Sequence, residues 1–519
     1  MPFIRDLDRK AENIRAGLAR VKPDQLWWLA LLSLYALFKL WLVSGVELGK
    51  DEAAYWYWGQ HLDASYALLP FGVLKLAHAL LPGHEWSLRL GSILCGTFSI
   101  VLLYRLCRLH GLEPSLCRWA AASFACSHWI WHTTSYLHPD GFLVTCWLLA
   151  LLWARQSAES ESPAAHVKIG LAAGLAVLSK YSGAFLALGL FTWILATRDR
   201  AVRSKMLLWT LVPFLLLTAP LIHAQLSTLF YLPTTLGTLS QIAAVHHVLA
   251  RLFLFLLNPL FFVSPLLLYL LYKSLFRQRP REHLLALLPA LFLLAGFAVF
   301  ALFRGQIKGN WILPAFLGLW PVAFSRPNLP SRPLWFLVPL VLIGLLHTLP
   351  IALGLKYPTM AQHLNAALPN QVFNASYVSL VALPDRRREA SYSWTERLCE
   401  YSGWRQLADD LEKTLAQKKV PPSTPLLSTQ YGFSFAMLYY GLGTRPGFTV
   451  DDPRFRFLTD FQQQAGPDFP AQALFAAREH TPLPASLQTL YPKSRLLAEL
   501  SRLAAGCPPV RYRVFLLRQ

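Results

Sequence analysis

Runs of roughly 17 to 25 predominantly apolar residues, separated by short polar or cationic stretches, fill the first two thirds of the chain. A helix of that length matches the hydrocarbon thickness of a bilayer, so each run is a candidate span. The runs start near Leu26, Trp86, Leu116, Phe142, Val167, Gly183, Met206, Val248, Leu284, Ile312 and Trp335, which predicts about eleven transmembrane helices. Those starting at Val167 and Gly183 are short, and Lys180 lies at the turn between them. From Glu47 to about Glu85 apolar residues recur at helical spacing without a span's length, and Tyr55, Trp56, Tyr57, Trp58 and Tyr66 crowd together. That segment predicts interfacial helices in the first external loop. Beyond Gly354 the long runs stop, and the remaining roughly 165 residues are enough for a small mixed α/β domain. The expected fold is a mainly α membrane protein with a transmembrane domain over 1–353 and a soluble domain over 354–519.

Charge fixes the orientation of this arrangement. The clusters Arg105/Arg108/Arg118, Arg155/Lys168, Arg198/Arg200/Arg203/Lys205, Lys273/Arg277/Arg279/Arg281 and Arg326/Arg332 occupy every second loop, on the side of the basic N-terminus. By the positive-inside rule that side is cytoplasmic, and an odd number of spans puts the tail outside. The net charge of +20 is therefore topological, distributed between apolar runs rather than gathered on one face as nucleic-acid binding requires. A composition of 55% hydrophobic and only 15% charged residues excludes an ordinary soluble enzyme. The first run is long enough to stay in the membrane, so it reads as an uncleaved span rather than a signal peptide. Of the seven cysteines, Cys95, Cys107, Cys117, Cys126 and Cys146 fall in or beside spans, as small packing residues. Cys399 and Cys507 stand alone in the last third, where an oxidising compartment would allow a disulfide.

Acids and cations at the external membrane edge are the candidate chemistry. Asp51 and Glu52 are adjacent carboxylates directly after the first run, costly beside lipid and suited to general-base work or to holding a divalent metal ion. The alternative is that they cap the first interfacial helix. Asp140, after His138 and Pro139, opens the fourth run as a second acid, or equally as a helix cap. Lys180 has apolar sequence on both sides; at mid-bilayer it would cost about 2.5 to 3.5 kcal/mol, which a phosphate partner would offset and snorkelling would avoid. Arg304, Lys308, Asn310 and Trp311 cluster in a later external loop as candidates for phosphate and sugar, with an aromatic-belt role also open to Trp311. No Walker loop, GxGxxG or HExxH is present, against a nucleotide-driven pump, a nicotinamide enzyme or a zinc peptidase.

Leu48-Gly49-Lys50-Asp51-Glu52-Ala53-Ala54-Tyr55-Trp56 resembles the Asp-Glu-Ala-Tyr-Tyr-Trp motif of bacterial dolichyl-phosphate-mannose protein mannosyltransferase-like proteins. That group also contains the lipid A aminoarabinose transferase. His138-Pro139-Asp140, Gly170 to Tyr181 and Lys308-Gly309-Asn310-Trp311-Ile312-Leu313-Pro314-Ala315 match in the family's order, and Gly403-Trp404-Arg405-Gln406-Leu407-Ala408 is similar to the start of its soluble domain. The resemblance runs from about Leu26 to Phe324 and implies a C-type glycosyltransferase fold in a bacterial inner membrane, with a periplasmic C-terminal domain. It implies inverting transfer from an undecaprenyl- or dolichyl-phosphate sugar to a lipid, glycan or protein acceptor. Asp51 would be the base, Glu52 would assist or bind metal, and Asp140 would complete the acidic site. Lys180, with Arg304 and Lys308, would hold the donor phosphate, while Tyr55, His138, Asn310 and Trp311 would contact substrate. One departure is the apolar Ala67-Leu68-Leu69-Pro70-Phe71, where the family carries a polar pair before a double proline.

A transporter or flippase of lipid-linked sugars would also need many spans and a few membrane-edge charges. Transporters place paired charges at mid-depth in repeated halves; here the candidates gather at the outer edge and no repeat is visible. A polysaccharide polymerase or ligase is chemically closer to the transferase.

Overall fold

The computed structural model describes residues 23–60, 67–157, 162–197, 200–229, 263–277, 283–304, 309–325, 334–360, 399–443, 445–450 and 470–519, with Pro259 and His363. Its first part is helical throughout: α1 (Pro23–Val43), α2 (Lys50–Gln60), α3 (Leu68–Leu80), α4 (Glu85–Leu109), α5 (Pro114–Cys126), α6 (His128–Ser135) and α7 (Pro139–Ser157). There follow α8 (Pro163–Ser179), α9 (Gly183–Thr197), α10 (Arg200–Leu229), α11 (Pro265–Arg277) and α12 (Leu284–Arg304). Two 3-10 turns (Gly309–Trp311, Leu313–Phe316), α13 (Leu319–Ala323) and α14 (Leu334–Lys356) complete this part.

Among the described residues, Glu85–Leu109, Arg203–Ala224 and Leu334–Lys356 are long and apolar enough to cross a membrane, and α6 with α7 form a further such pair bent by 115°. The expected eleven spans are thus reached only in part. Several apolar runs are interrupted: Ser127 separates α5 from α6 with extended backbone dihedrals. The run expected to span from Ile312 folds instead as a 3-10 turn and short α13, entirely buried. Pro314 and Pro321 lack the N–H that a continuous i→i−4 ladder needs, and the buried carbonyls find partners in the tight turns. The run near Val248 lies outside the described residues.

The segment between α1 and α4, where short helices were expected, holds α2 and α3. Asp51 and Glu52 in the first turn of α2 complement the positive end of its dipole. Tight helix contacts use small residues, as membrane helix pairs do. A Cβ on Gly170 of α8 would meet the Thr210 carbonyl oxygen of α10 at 2.1 Å.

The described residues within 399–519 form a mixed α/β unit. Its sheet has the order β2-β1-β3-β5-β4, from Gly447–Thr449, Leu426–Ser428, Gln472–Arg478, Val510–Arg518 and Lys493–Arg502. β1 runs parallel to β2 and β3, while β5 is antiparallel to β3 and β4. Helix α15 (Trp404–Gln417) buries Trp404, Leu407, Ala408, Leu411 and Leu415, the i, i+3, i+4 stripe of an amphipathic helix. Cys399 and Cys507 are joined by a disulfide, with their Cα atoms 5.8 Å apart. One continuous core links this unit to the segment between α1 and α4: Leu48, Ala53, Trp58 and Phe71 pack in the same cluster as Trp404, Phe435, Leu438 and Tyr512.

Candidate active site

The candidate side chains come from the first turns of α2 and α7, the turn between α8 and α9 and the 3-10 turn Gly309–Trp311. The turn between α8 and α9 is compact: the Gly183 amide donates to the Lys180 carbonyl at 2.8 Å. A Cβ on Gly183 would stand 2.3 Å from the Ala176 carbonyl carbon, so only glycine lets the two helices close this tightly.

That turn carries Lys180 to Asp140. Lys180 Nζ donates to Asp140 Oδ1 at 2.7 Å, and Asn310 Nδ2 donates to Asp140 Oδ2 at 2.9 Å. His138 Nδ1 lies 2.9 Å from the same Oδ2 and 3.2 Å from the Asp140 amide. The Asp140 amide donates to Nδ1, and the nearby carboxylate oxygen keeps the imidazole against the acid. Asp140 is fully buried, and its position in the first turn of α7 adds the helix dipole to the cation's attraction. One carboxylate thus ties together three separate stretches of chain. Asp140 takes one of the three N–H donors of Lys180, whose side chain keeps 13% of its surface exposed.

Asp51 and Tyr55 are i, i+4 neighbours on one face of α2. The Tyr55 ring meets the His138 imidazole edge-on at 6.2 Å, which turns that face toward the Asp140 cluster. His132 lies in the electrostatic range of His138, Glu52, Asp51 and Asp140 together. Asp51, Tyr55, His138, Asp140, Lys180 and Asn310 therefore share one neighbourhood.

Glu52 points elsewhere. It is 2% exposed and faces Arg89, itself 0% exposed. Arg89 Nε donates to Glu52 Oε1 at 2.8 Å and Nη2 to Oε2 at 2.6 Å. The amides of Leu137 and Gly49 donate to the same two oxygens at 2.8 and 3.1 Å. With both oxygens engaged in this way, Glu52 fixes the start of α2 against α4. Among the described residues no group of three or more His, Cys, Asp or Glu is arranged to hold a metal ion. Trp311 packs on Phe297 of α12, ring centroids 5.6 Å apart. Arg304 ends α12 with its side chain outside the described residues, and Lys308 lies outside them altogether.

Arg89 escaped the sequence reading, although a charge inside an apolar run was the available signal. Its guanidinium also donates to the carbonyls of Val43, Val46 and Glu47, at 3.0, 2.7 and 2.8 Å. Lys39, likewise buried in α1, donates to Thr134 and lies over the rings of Tyr35 and Trp131. Both cations lock helices together.

The family model for dolichyl-phosphate-mannose-protein mannosyltransferase matches residues 66–223. The lipid A galacturonosyltransferase RgtD of Rhizobium johnstonii is 27% identical over 180 residues, so the match spans 34% of this chain and about a third, 36%, of that protein. The crystal structure of ArnT from Cupriavidus metallidurans in the apo state is 17% identical, with a TM-score of 0.57 over 95% of this chain and 98% of that one. The same protein bound to undecaprenyl phosphate gives 18% and 0.56, over 94% and 97%. These structures show a common fold across nearly the whole chain. Residues 66–223 thus resemble the mannosyltransferase family model, while the chain as a whole shares the fold of these two structures.

Proposed function

We propose that the chain is an integral membrane enzyme that transfers a sugar from a polyprenyl-phosphate carrier to an acceptor on the periplasmic face of a bacterial inner membrane. The observation that carries this reading is the buried Asp140 carboxylate, which gathers Lys180, Asn310 and His138 beside the Asp51 face of α2. A membrane-edge ammonium with a residual open surface suits a lipid-linked phosphate, and a carboxylate nearby suits proton removal from an acceptor hydroxyl.

In the proposed step Asp51 accepts the acceptor proton as the acceptor oxygen bonds to the anomeric carbon. The bond from that carbon to the carrier phosphate oxygen breaks with its electron pair, so configuration inverts and the polyprenyl phosphate departs as an anion. That leaving group needs no proton; its developing charge is met by Lys180, with Asn310 oriented by the same carboxylate. Asp140 acts by holding these groups rather than by exchanging protons, because its oxygens are committed to them. Where the acceptor is a phosphate already ionised, the charge-stabilising half of the site carries the reaction. The C-terminal α/β unit stands on the periplasmic side and the N-terminus on the cytoplasmic side. The acceptor is a lipid such as lipid A, a glycan or a protein.

The test supplies purified protein with radiolabelled polyprenyl phosphate sugars and extracts of envelope lipids, glycans and proteins. Label passing to an acceptor with release of polyprenyl phosphate is expected. Movement of labelled donor across vesicles without acceptor, and no transfer, would instead favour a carrier of lipid-linked sugars.

A further inference from the structure

The start of α2 is held from two sides. From the bundle, Arg89 clamps Glu52 and the three carbonyls before the helix. From the C-terminal unit comes the 3-10 turn Cys399–Tyr401, which approaches the two residues preceding Asp51. Glu400 Oε1 pairs with Lys50 Nζ at 2.8 Å. A Cβ on Gly49 would stand 2.7 Å from the Tyr401 ring, so ring and backbone are already in contact. Tyr401 also meets Tyr136, ring centroids 5.2 Å apart, which in turn receives the Arg89 guanidinium at 5.2 Å. Tyr401 lies in the electrostatic range of both Glu52 and Asp51.

The turn is itself anchored. Cys399 is bonded to Cys507 in the β4–β5 connection, and the Trp404 amide donates to Glu47 at 2.6 Å. A Cβ on Gly432 would collide with the Lys50 Cβ at 2.1 Å, so the helix Tyr431–Met437 presses on the same residue. Nothing in this contact resembles a loose docking of two units.

We propose that Glu400 and Tyr401 are positioning residues for Asp51, so that the C-terminal unit sets the geometry of the reacting carboxylate as well as covering the bundle. This rests on the reading of Asp51 as the base. Tyr401 limits how far the first turn of α2 moves outward, and Glu400 ties the residue before Asp51 to the C-terminal unit. A displacement of about 1 Å in a reacting group costs on the order of a hundredfold in rate, which sets the scale of the effect.

The experiment measures kcat and donor KM for full-length protein carrying Tyr401→Ala, Tyr401→Phe, Glu400→Ala and the charge exchange Lys50→Glu with Glu400→Lys, with Asp51→Asn alongside. Tyr401→Ala and Glu400→Ala are expected to lower kcat by about 10- to 100-fold while donor KM stays within about twofold. Tyr401→Phe, which keeps the ring, and the charge exchange, which keeps the pair, are expected to recover most of the wild-type kcat. Wild-type kcat in both alanine variants, with Asp51→Asn inactive, overturns this inference and leaves the base assignment standing. Loss in the alanine variants that follows only the fraction of folded protein also overturns it. Full turnover in Asp51→Asn removes the base assignment, and this inference with it.

Discussion

Lys180 Nζ lies 2.7 Å from Asp140 Oδ1, although 40 residues separate them in sequence, and Asp140 has no exposed surface. A buried pair of this kind is a weak net stabiliser, but breaking it strands the remaining charge at a cost of roughly 3 to 5 kcal/mol. Asp140→Ala should therefore lower the unfolding free energy by about that amount. The double variant Asp140→Asn, Lys180→Met should lose less than the sum of the two single changes, since their groups are in contact. Thermal unfolding of the detergent-purified variants measures both; strictly additive losses would mean that the two side chains do not act as a pair.

The adjacent carboxylates Asp51 and Glu52 should separate cleanly. Glu52→Gln leaves Arg89 buried without its counter-charge and should destabilise the fold by roughly 3 to 5 kcal/mol. Asp51 is only half-buried, and Asp51→Asn should leave the melting temperature nearly unchanged. Parallel melting curves and turnover numbers decide the matter. A stable, inactive Glu52→Gln enzyme would return Glu52 to the chemistry.

Glu47 gives the contact between the segment before α2 and the C-terminal unit a pH dependence. Burial pushes its carboxyl above the usual value, partly opposed by the hydrogen bonds that its oxygens accept from the Trp404 and Arg405 amides. An acid raised in the folded state holds its proton more tightly there than in the unfolded chain. Its contribution is then complete below the ordinary carboxylate range and is lost as pH rises through the raised value. Melting temperatures from about pH 4 to about pH 7 should show a downward slope with rising pH that Glu47→Gln flattens. An unchanged slope in that variant would assign the pH dependence to other groups.

The helical class, the presence of short helices after the first apolar run and the α/β tail were legible because each rests on a periodicity that the chain carries locally. Asp140, Lys180 and Asn310 were legible as polar residues at apolar edges, where burial without a partner is too costly to be accidental. The division of labour between Asp51 and Glu52 was not. Which neighbour faces the cluster depends on the rotation of α2, and that is set by Arg89 on α4, far away in sequence. The interrupted runs at Ser127 and Ile312 were likewise hidden, since length and hydropathy alone do not reveal where tertiary contacts satisfy a broken helix. The grip of Glu400 and Tyr401 on the start of α2 arises from a contact spanning 350 residues.

The central claim is that the Asp51 carboxylate removes the acceptor proton in a site organised by Asp140. Its most direct measurement is single-turnover transfer from a labelled polyprenyl phosphate sugar to a hydroxyl acceptor by wild type and Asp51→Asn, at saturating donor. A loss of about 10²- to 10⁴-fold in the transfer rate, with donor binding and melting temperature retained, is the predicted result. Transfer at the wild-type rate in that variant would contradict it.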